Sequence, residues 1–222
     1  MFIKTTTITI IIIYFLLYIT SILCNIHGGT ILAMAGKDTV ILATDSRFSS
    51  YQSGSLLLGE YPRKVFRIGS KVMIACFGLE SDTITLMDNI REKVGLDHQG
   101  SLDPMCVSRI VSNILYEKRL MCSPIVIGLG KNNIPYICCM DSLGAQTVSD
   151  SFAVTGTANA GLYAICESLY MKNLSLSKLT EVTEKCLQLA LQRDILSGCK
   201  VYAYIMTKDG TISLKTFDTA DI

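Results

Sequence analysis

Net charge is almost absent from this chain: 20 Lys and Arg stand against 19 Asp and Glu in 222 residues, leaving +1. Without a basic excess there is no broad field to displace counterions from a phosphate backbone, so no nucleic-acid partner is expected. Proline is scarce at 4 and the 16 glycines follow no triplet period, which excludes a collagenous chain. No heptad persists, which excludes a coiled coil, and 50% hydrophobic residues exclude a disordered chain. Histidine occurs twice. A Ser-His or Cys-His couple needs an imidazole within hydrogen-bond reach, yet His27 lies at the end of an apolar leader and His98 in the polar run LDHQGS. Neither is expected as a catalytic base, and no His/Asp/Glu spacing resembles a ligand set, so no metal and no cofactor is expected. CxxC pairs are also missing. The nine cysteines are odd in number and sit mostly among apolar residues, as in MIACFGL, YICCMD and YAICESL. That is the pattern of buried free thiols in a reducing compartment.

What the chain does have is hydrophobicity, with a mean hydropathy of +0.41. Much of the excess lies in Ile8 to Leu23, ITIIIIYFLLYITSIL, preceded by a single charge at Lys4. This block reads as the apolar region of a secretory signal, a short membrane anchor or a propeptide. The small-x-small pattern of a signal-peptidase cut is not clean around Ser21, Ile22 and Leu23. Residues 1–27 are therefore separated as a leader, and 28–222 as one domain of ordinary size. The Asn173-Leu174-Ser175 sequon would matter only in the secretory pathway.

Along the body, apolar β-rich runs alternate with helical stripes. Thr30 to Ala35 and Thr39 to Asp45 flank the turn-former Gly36-Lys37-Asp38 and predict a hairpin. Ser46 to Tyr61 is polar and reads as a loop. Lys64 to Ile68 and Lys71 to Phe77 predict a second hairpin around Gly69-Ser70. Ser81 stands where an N-cap belongs, with Ile84, Met87, Ile90 and Val94 as the stripe of a helix over 82–94. A second helix is expected from Pro104, at its first position, to about Leu120, facing inward with Val107, Ile110, Val111 and Ile114. Pro124 to Leu129 and Pro135 to Met140 predict a third hairpin, in which the adjacent Cys138 and Cys139 point to opposite faces. Gln146 to Thr155 supplies further strand. Helices are expected near Ala158 to Tyr170 and Ser177 to Arg193, then a last hairpin, Lys200 to Thr207 with Thr211 to Thr216, turning at Asp209-Gly210. Consecutive hairpins argue against parallel βαβ units, and strands apolar at nearly every position argue for sheets covered on both faces. The expected fold is α+β, a four-layer αββα sandwich.

The residues left over for chemistry are sparse: Gly28-Gly29-Thr30 before and into the first strand, Asp45-Ser46-Arg47 after the second, Lys64 opening the third, and Arg193-Asp194 with Ser197-Gly198 late in the chain. Singly, each has an ordinary structural use as a cap, a solvated strand end or a helix stop. Together, the ordered runs GGTILAMAGKDTVILATDSR, KVFRIGSKVMIACFG, LYEKR, YICCMDSLG, GLYAICESLY and RDILSG resemble the proteasome β subunits of the 20S core particle. The resemblance extends from Gly28 to about Lys215 and is nearest to the β type-3 branch. It departs in Cys139-Met140-Asp141 and in a slightly longer segment between Asp45 and Lys64.

That resemblance implies the N-terminal nucleophile hydrolase fold. Active members are cut after a glycine, exposing a threonine whose own α-amino group serves as base, helped by an Asp, a Lys and an Asp/Ser pair. The helping positions match Asp45, Lys64, Asp194 and Ser197. Register from Leu32-Ala33 and from Asp45 places the nucleophile position at Gly29, which has no hydroxyl. Thr30 follows Gly29 as in a cleavable bond, yet a one-residue offset in a strand turns a side chain to the opposite face. Thr157-Ala158 replaces the Ser-Gly run of active members. The resemblance thus implies a non-catalytic β-ring subunit that retains Gly29, Asp45, Lys64, Asp194 and Ser197 as a vestigial constellation. Asp45, Lys64 and Asp194 are then expected in an ion-pair cluster that fixes the strand ends. Its implied partners are neighbouring β subunits and the α ring in a 28-subunit complex of four seven-membered rings, in the cytoplasm and nucleus. The body is expected to meet no membrane. Two alternatives stay open: an active threonine protease that uses Thr30 after cleavage at Gly29, and a secreted or membrane-anchored binding protein directed by the leader.

Overall fold

The computed structural model describes residues 26, 27, 29–50, 64–95 and 102–218. The leader up to residue 25, Gly28, the later part of the expected loop (51–61) and His98 lie outside the described residues.

Alternation in the strands builds the molecule. In β2 (Thr30–Ala35) and β3 (Thr39–Asp45), which turn through Gly36-Lys37-Asp38, every residue is buried. Leu32, Met34, Ile41 and Ala43 point to one face, and Ile31, Ala33, Val40 and Leu42 to the other. Each face needs its own apolar cover, because successive side chains in a strand leave on opposite sides. β2 and β3 form the centre of one antiparallel sheet, ordered β10-β2-β3-β11-β12, with β10 at Phe152–Gly156, β11 at Lys200–Thr207 and β12 at Ile212–Asp218. The second sheet runs β5-β6-β7-β8-β9: Val65–Arg67, Val72–Gly78, Cys122–Leu129, Pro135–Met140 and Gln146–Ser149.

Three apolar layers separate four layers of backbone. Ile31, Leu42, Met73, Ile125, Ile127 and Ile137 fill the space between the sheets. Helices α1 (Glu80–Val94) and α2 (Pro104–Lys118) cover the second sheet through Leu86, Met87, Ile90, Val107, Val111 and Ile114. Helices α3 (Asn159–Leu169) and α4 (Leu176–Leu191) cover the first through Leu162, Cys166, Leu179, Cys186 and Leu187. The arrangement is the αββα sandwich expected from the hairpin and helix order. Cys138 packs on the helix side and Cys139 on the sheet side, as adjacent strand residues must.

Four local expectations change. Helix α1 begins at Glu80 rather than after a Ser81 cap. Leu79 takes the N-cap position with no side-chain bond, and Glu80 and Asp82 supply negative charge to the first turn instead. Its buried stripe is Thr83, Leu86, Met87, Ile90 and Val94, while Ile84 faces outward at 53% exposure. The run Gln146 to Thr155 is two strands in different sheets: β9 pairs with β8, then the chain crosses at Asp150-Ser151 and β10 pairs with β2. The polar segment after Asp45 is not wholly loop, since β4 (Ser49–Ser50) pairs antiparallel with β1 (Ile26–His27).

Candidate functional site

The site lies where β2 begins, β3 ends and β5 is about to start. Asp45 closes an apolar strand and is fully buried; Lys64 sits just before β5 and is 4% exposed. Two buried opposite charges must find each other and further donors. Lys64 Nζ donates to Asp45 Oδ1 at 2.6 Å and to the Arg47 carbonyl at 2.6 Å, and lies 4.8 Å above the centre of the Phe48 ring. Asp45 also accepts from the backbone N–H of Thr30 on Oδ1 (2.9 Å) and of Gly198 on Oδ2 (2.9 Å). Burial pushes the Lys64 ammonium below the ordinary lysine range, with the Asp45 charge and hydrogen bond opposing that shift.

Gly29 completes this pole. It is buried, its φ is +108°, and a Cβ placed there would overlap Lys64 Nζ and lie 2.6 Å from Asp45 Oδ1. The ammonium therefore occupies the volume that a side chain at position 29 would need. Beside Lys64 opens a cavity of about 370 Å³, walled by Phe48, Phe66, Cys76 and Met87 with Glu80 and Arg91 among its polar residues.

A second pole forms on the other side of the strand. The Thr30 hydroxyl lies 2.7 Å from Ser197 Oγ, and Ser197 Oγ lies 2.7 Å from Thr157 Oγ1. Thr157 and Ser197 both donate to Asp194 Oδ2, Ser197 at 2.7 Å, so the Ser197 oxygen is left to accept the Thr30 proton. Asp194 Oδ1 accepts from the Leu196 N–H at 3.0 Å. The Gly29 carbonyl accepts from the Thr157 N–H at 3.1 Å, and β2 meets β10 so closely that Gly156 has no room for a Cβ: it would sit 2.8 Å from Thr30 Cα.

Gly29, Asp45 and Lys64 thus converge at one pole, and Thr30, Asp194 and Ser197 at the other, joined through the Thr30 and Gly198 amides on Asp45. The expected three-member ion-pair cluster is a two-member one. Asp194 stands outside it, because two hydroxyls and an amide already satisfy its carboxylate. Sequence reasoning missed the Arg47 carbonyl and the Phe48 ring, neither of which carries a sequence signal. It also missed the bonding role of Thr157. Gly156 and Gly198, both at positive φ, were the available hint that backbone approaches closely here.

The hydroxyl network makes its own prediction. Ser197→Ala removes the acceptor for Thr30 and one donor to Asp194, and is expected to cost about 1–3 kcal/mol, the usual penalty for stranding buried polar groups. Differential scanning fluorimetry should show a melting point lower by several degrees, and Thr30→Val, which removes the Ser197 contact and the acceptor of the Ala158 N–H at 3.4 Å, should lower it as well. An unchanged melting point in Ser197→Ala would mean that solvent replaces the lost bonds.

Comparison with known proteins agrees with the architecture. The profile of the family described as "Proteasome subunit" matches residues 26–206. "Proteasome subunit beta type-3" of Dictyostelium discoideum is 33% identical over 202 residues, covering 88% of this chain and 97% of its own. "Probable proteasome subunit beta type-3" of Schizosaccharomyces pombe is 38% identical over 192 residues, covering 84% and 93%. "Proteasome subunit beta type-3" of Oryza sativa subsp. japonica is 35% identical over 187 residues, covering 82% and 90%. With the αββα sandwich, the buried Asp45–Lys64 pair and a profile match across most of its length, this chain belongs to the proteasome subunit family.

Proposed function

We propose that this chain is a non-catalytic structural β-ring subunit of the 20S proteasome core particle, with residues 28–222 as its single domain and assembly as its task. One observation carries the reading: the buried ammonium of Lys64 faces Gly29, a residue with no nucleophilic atom, and fills the space a side chain would use. The type-3 relatives point the same way. Thr30 is a poor substitute. Its nitrogen is a backbone amide donating to Asp45, and the residue is 0% exposed, so its hydroxyl meets no substrate carbonyl. Nucleophilic attack needs reacting atoms held about 3–3.5 Å apart, and a wall of protein atoms prevents that approach.

In this role the subunit packs against neighbouring β subunits and the α ring, within 28 subunits arranged as four rings of seven, and forms part of the chamber wall in ubiquitin-dependent protein degradation. The free thiols of the described residues suit the reducing cytoplasm and nucleus, where the proposal places it. No helix among the described residues is long and apolar enough to cross a membrane.

The test is the N-terminal mass of the chain isolated from its complex, together with labelling by a threonine-directed covalent inhibitor. The expected chain is unlabelled and carries no new terminus at Thr30. A labelled chain beginning at Thr30 would establish the protease reading instead, and native mass spectrometry of the same complex reports the subunit count.

A further inference from the structure

Four large apolar side chains gather on one outer face of the second sheet. Met105 and Tyr116 of α2, Leu143 of the β8–β9 turn and Val148 of β9 are each between 47% and 63% exposed. Hydrogen bonds fix how they sit. Ser112 Oγ donates to the Gly144 carbonyl at 2.6 Å and Gln146 Nε2 to the Ser108 carbonyl at 3.5 Å, so the flank of α2 that carries Ser108 and Ser112 is turned towards β9. Met105, Arg109, Ser112 and Tyr116 follow one another at helical spacing and form a single stripe along that flank. The same two bonds set α2 antiparallel to the segment from Gly144 to Ser149, which brings Met105 to the Val148 end and Tyr116 to the Leu143 end. At about 1.5 Å per residue the two ends lie about 16 Å apart. Val148 pairs with Cys138, which packs on the helix side, so Val148 points to that side too but lies beyond the cover of α2.

The charges on this shelf have one sign. Arg109 is exposed, and Arg119 stacks with its guanidinium 4.7 Å from the centre of the Tyr116 ring. Neither forms an ion pair among the described residues. The nearby carboxylates are engaged elsewhere. Asp141 Oδ1 accepts from the Leu143 and Ala145 N–H groups at 2.9 Å each, Asp103 caps α2, and Glu117 faces α1, where it pairs with Lys93 at 3.4 Å. β9 is the last strand of its sheet, and its outer side meets no strand among the described residues. Gln146 to Ser149 holds neither the charge nor the proline that commonly guards an open edge. Apolar anchors that include Tyr and Met, with arginine beside them, are the composition of a protein–protein contact.

We propose that the shelf between α2 and β9 is the docking surface for an adjacent subunit, which meets it with apolar side chains at the Met105–Val148 and Tyr116–Leu143 ends and with carboxylates opposite Arg109 and Arg119. The inference rests on the assembly role proposed above and adds to it a location and a partner chemistry: an apolar face edged with acid.

The experiment has two arms. In the first, hydroxyl-radical footprinting compares the isolated full chain with the chain in its complex. Met105 and Tyr116 are expected to be oxidised in the isolated chain and protected in the complex. In the second, wild-type chain and a variant compete for incorporation into the complex, read by native mass spectrometry. Arg109→Glu, which sets like charges against each other, and Tyr116→Ala, which removes an anchor, are each expected to enter about tenfold less well. Both positions are exposed, so the melting point of each isolated variant should stay at the wild-type value. Equal incorporation of both variants, or equal oxidation of Met105 and Tyr116 in the two states, overturns the docking surface while leaving the assembly role standing. A wild-type chain that enters no multisubunit complex overturns both, and so does protection that arises only from pairing of two copies of this chain.

Discussion

Replacing Gly29 by threonine is expected to leave the chain without peptidase activity and to weaken its folding by about 4–8 kcal/mol. Under the proposed role, a hydroxyl at residue 29 looks like the obvious repair, but the space is taken. A β-carbon at residue 29 meets the Lys64 ammonium and lies 2.6 Å from Asp45 Oδ1, and φ is +108°, where a β-branched residue is strained. The backbone strain contributes roughly 1–3 kcal/mol. Moving Lys64 aside breaks a 2.6 Å buried ion pair, and disrupting such a pair costs roughly 3–5 kcal/mol. Urea denaturation of the isolated chain reports the stability, and native mass spectrometry with a fluorogenic peptide assay reports assembly and activity. A Gly29→Thr chain that assembles normally and accepts a threonine-directed inhibitor would show that the ammonium yields readily and that the site lacked only its hydroxyl.

The second large effect is expected at Lys64. Lys64→Met keeps the apolar stem and removes the ammonium, leaving the fully buried Asp45 carboxylate with two backbone amides and no cation. A loss of about 3–5 kcal/mol follows, because the remaining charge keeps its desolvation cost without its partner. The distinguishing measurement is a double-mutant cycle with Asp45→Asn. Removing both charges should recover only part of the loss, since the amide oxygen of Asn accepts from one of the Thr30 and Gly198 N–H groups while its NH2 faces the other. Lost assembly with reduced stability is the expected phenotype. Full stability and assembly together with a specific loss of hydrolysis would instead assign Lys64 a catalytic role.

Much of this was legible before any coordinates. The limits of β2 and β3 are set by apolar runs on either side of Gly36-Lys37-Asp38, and the structure gives those same residues. Taken singly, Asp45 and Lys64 read as a turn cap and a solvated strand end; it is the family resemblance that implies their pairing, and the two are buried as a pair. Other features depend on tertiary contact and left weaker traces. Ser81 is an excellent capping residue, yet Leu79 holds the position because its backbone is fixed by the Met121 carbonyl on the neighbouring strand segment. Ile84 has the right spacing for the stripe, but the rotation of α1 against β6 admits Thr83 and Leu86 instead. The break at Asp150-Ser151 consists of two ordinary polar residues, and only the pairing partners show that β9 and β10 belong to different sheets. At the site, Thr157 has no periodicity to mark it. It matters because β10 delivers it beside Asp194, 37 residues further along the chain.

The order of strands in the first sheet bears on how the chain is made. The β2–β3 hairpin leaves a ribosome early, with apolar side chains on both faces, but the strands that close its two edges are β10 and β11. Those partners lie more than 100 and about 150 residues later in the sequence. At translation speeds of roughly 5–20 residues per second, β3 waits about 10–30 s before β11 exists to pair with it. For that interval the nascent hairpin presents two open hydrogen-bonding edges and an uncovered apolar surface, the combination most prone to mispairing. The first sheet therefore cannot close around this hairpin until the C-terminal third of the chain has been made.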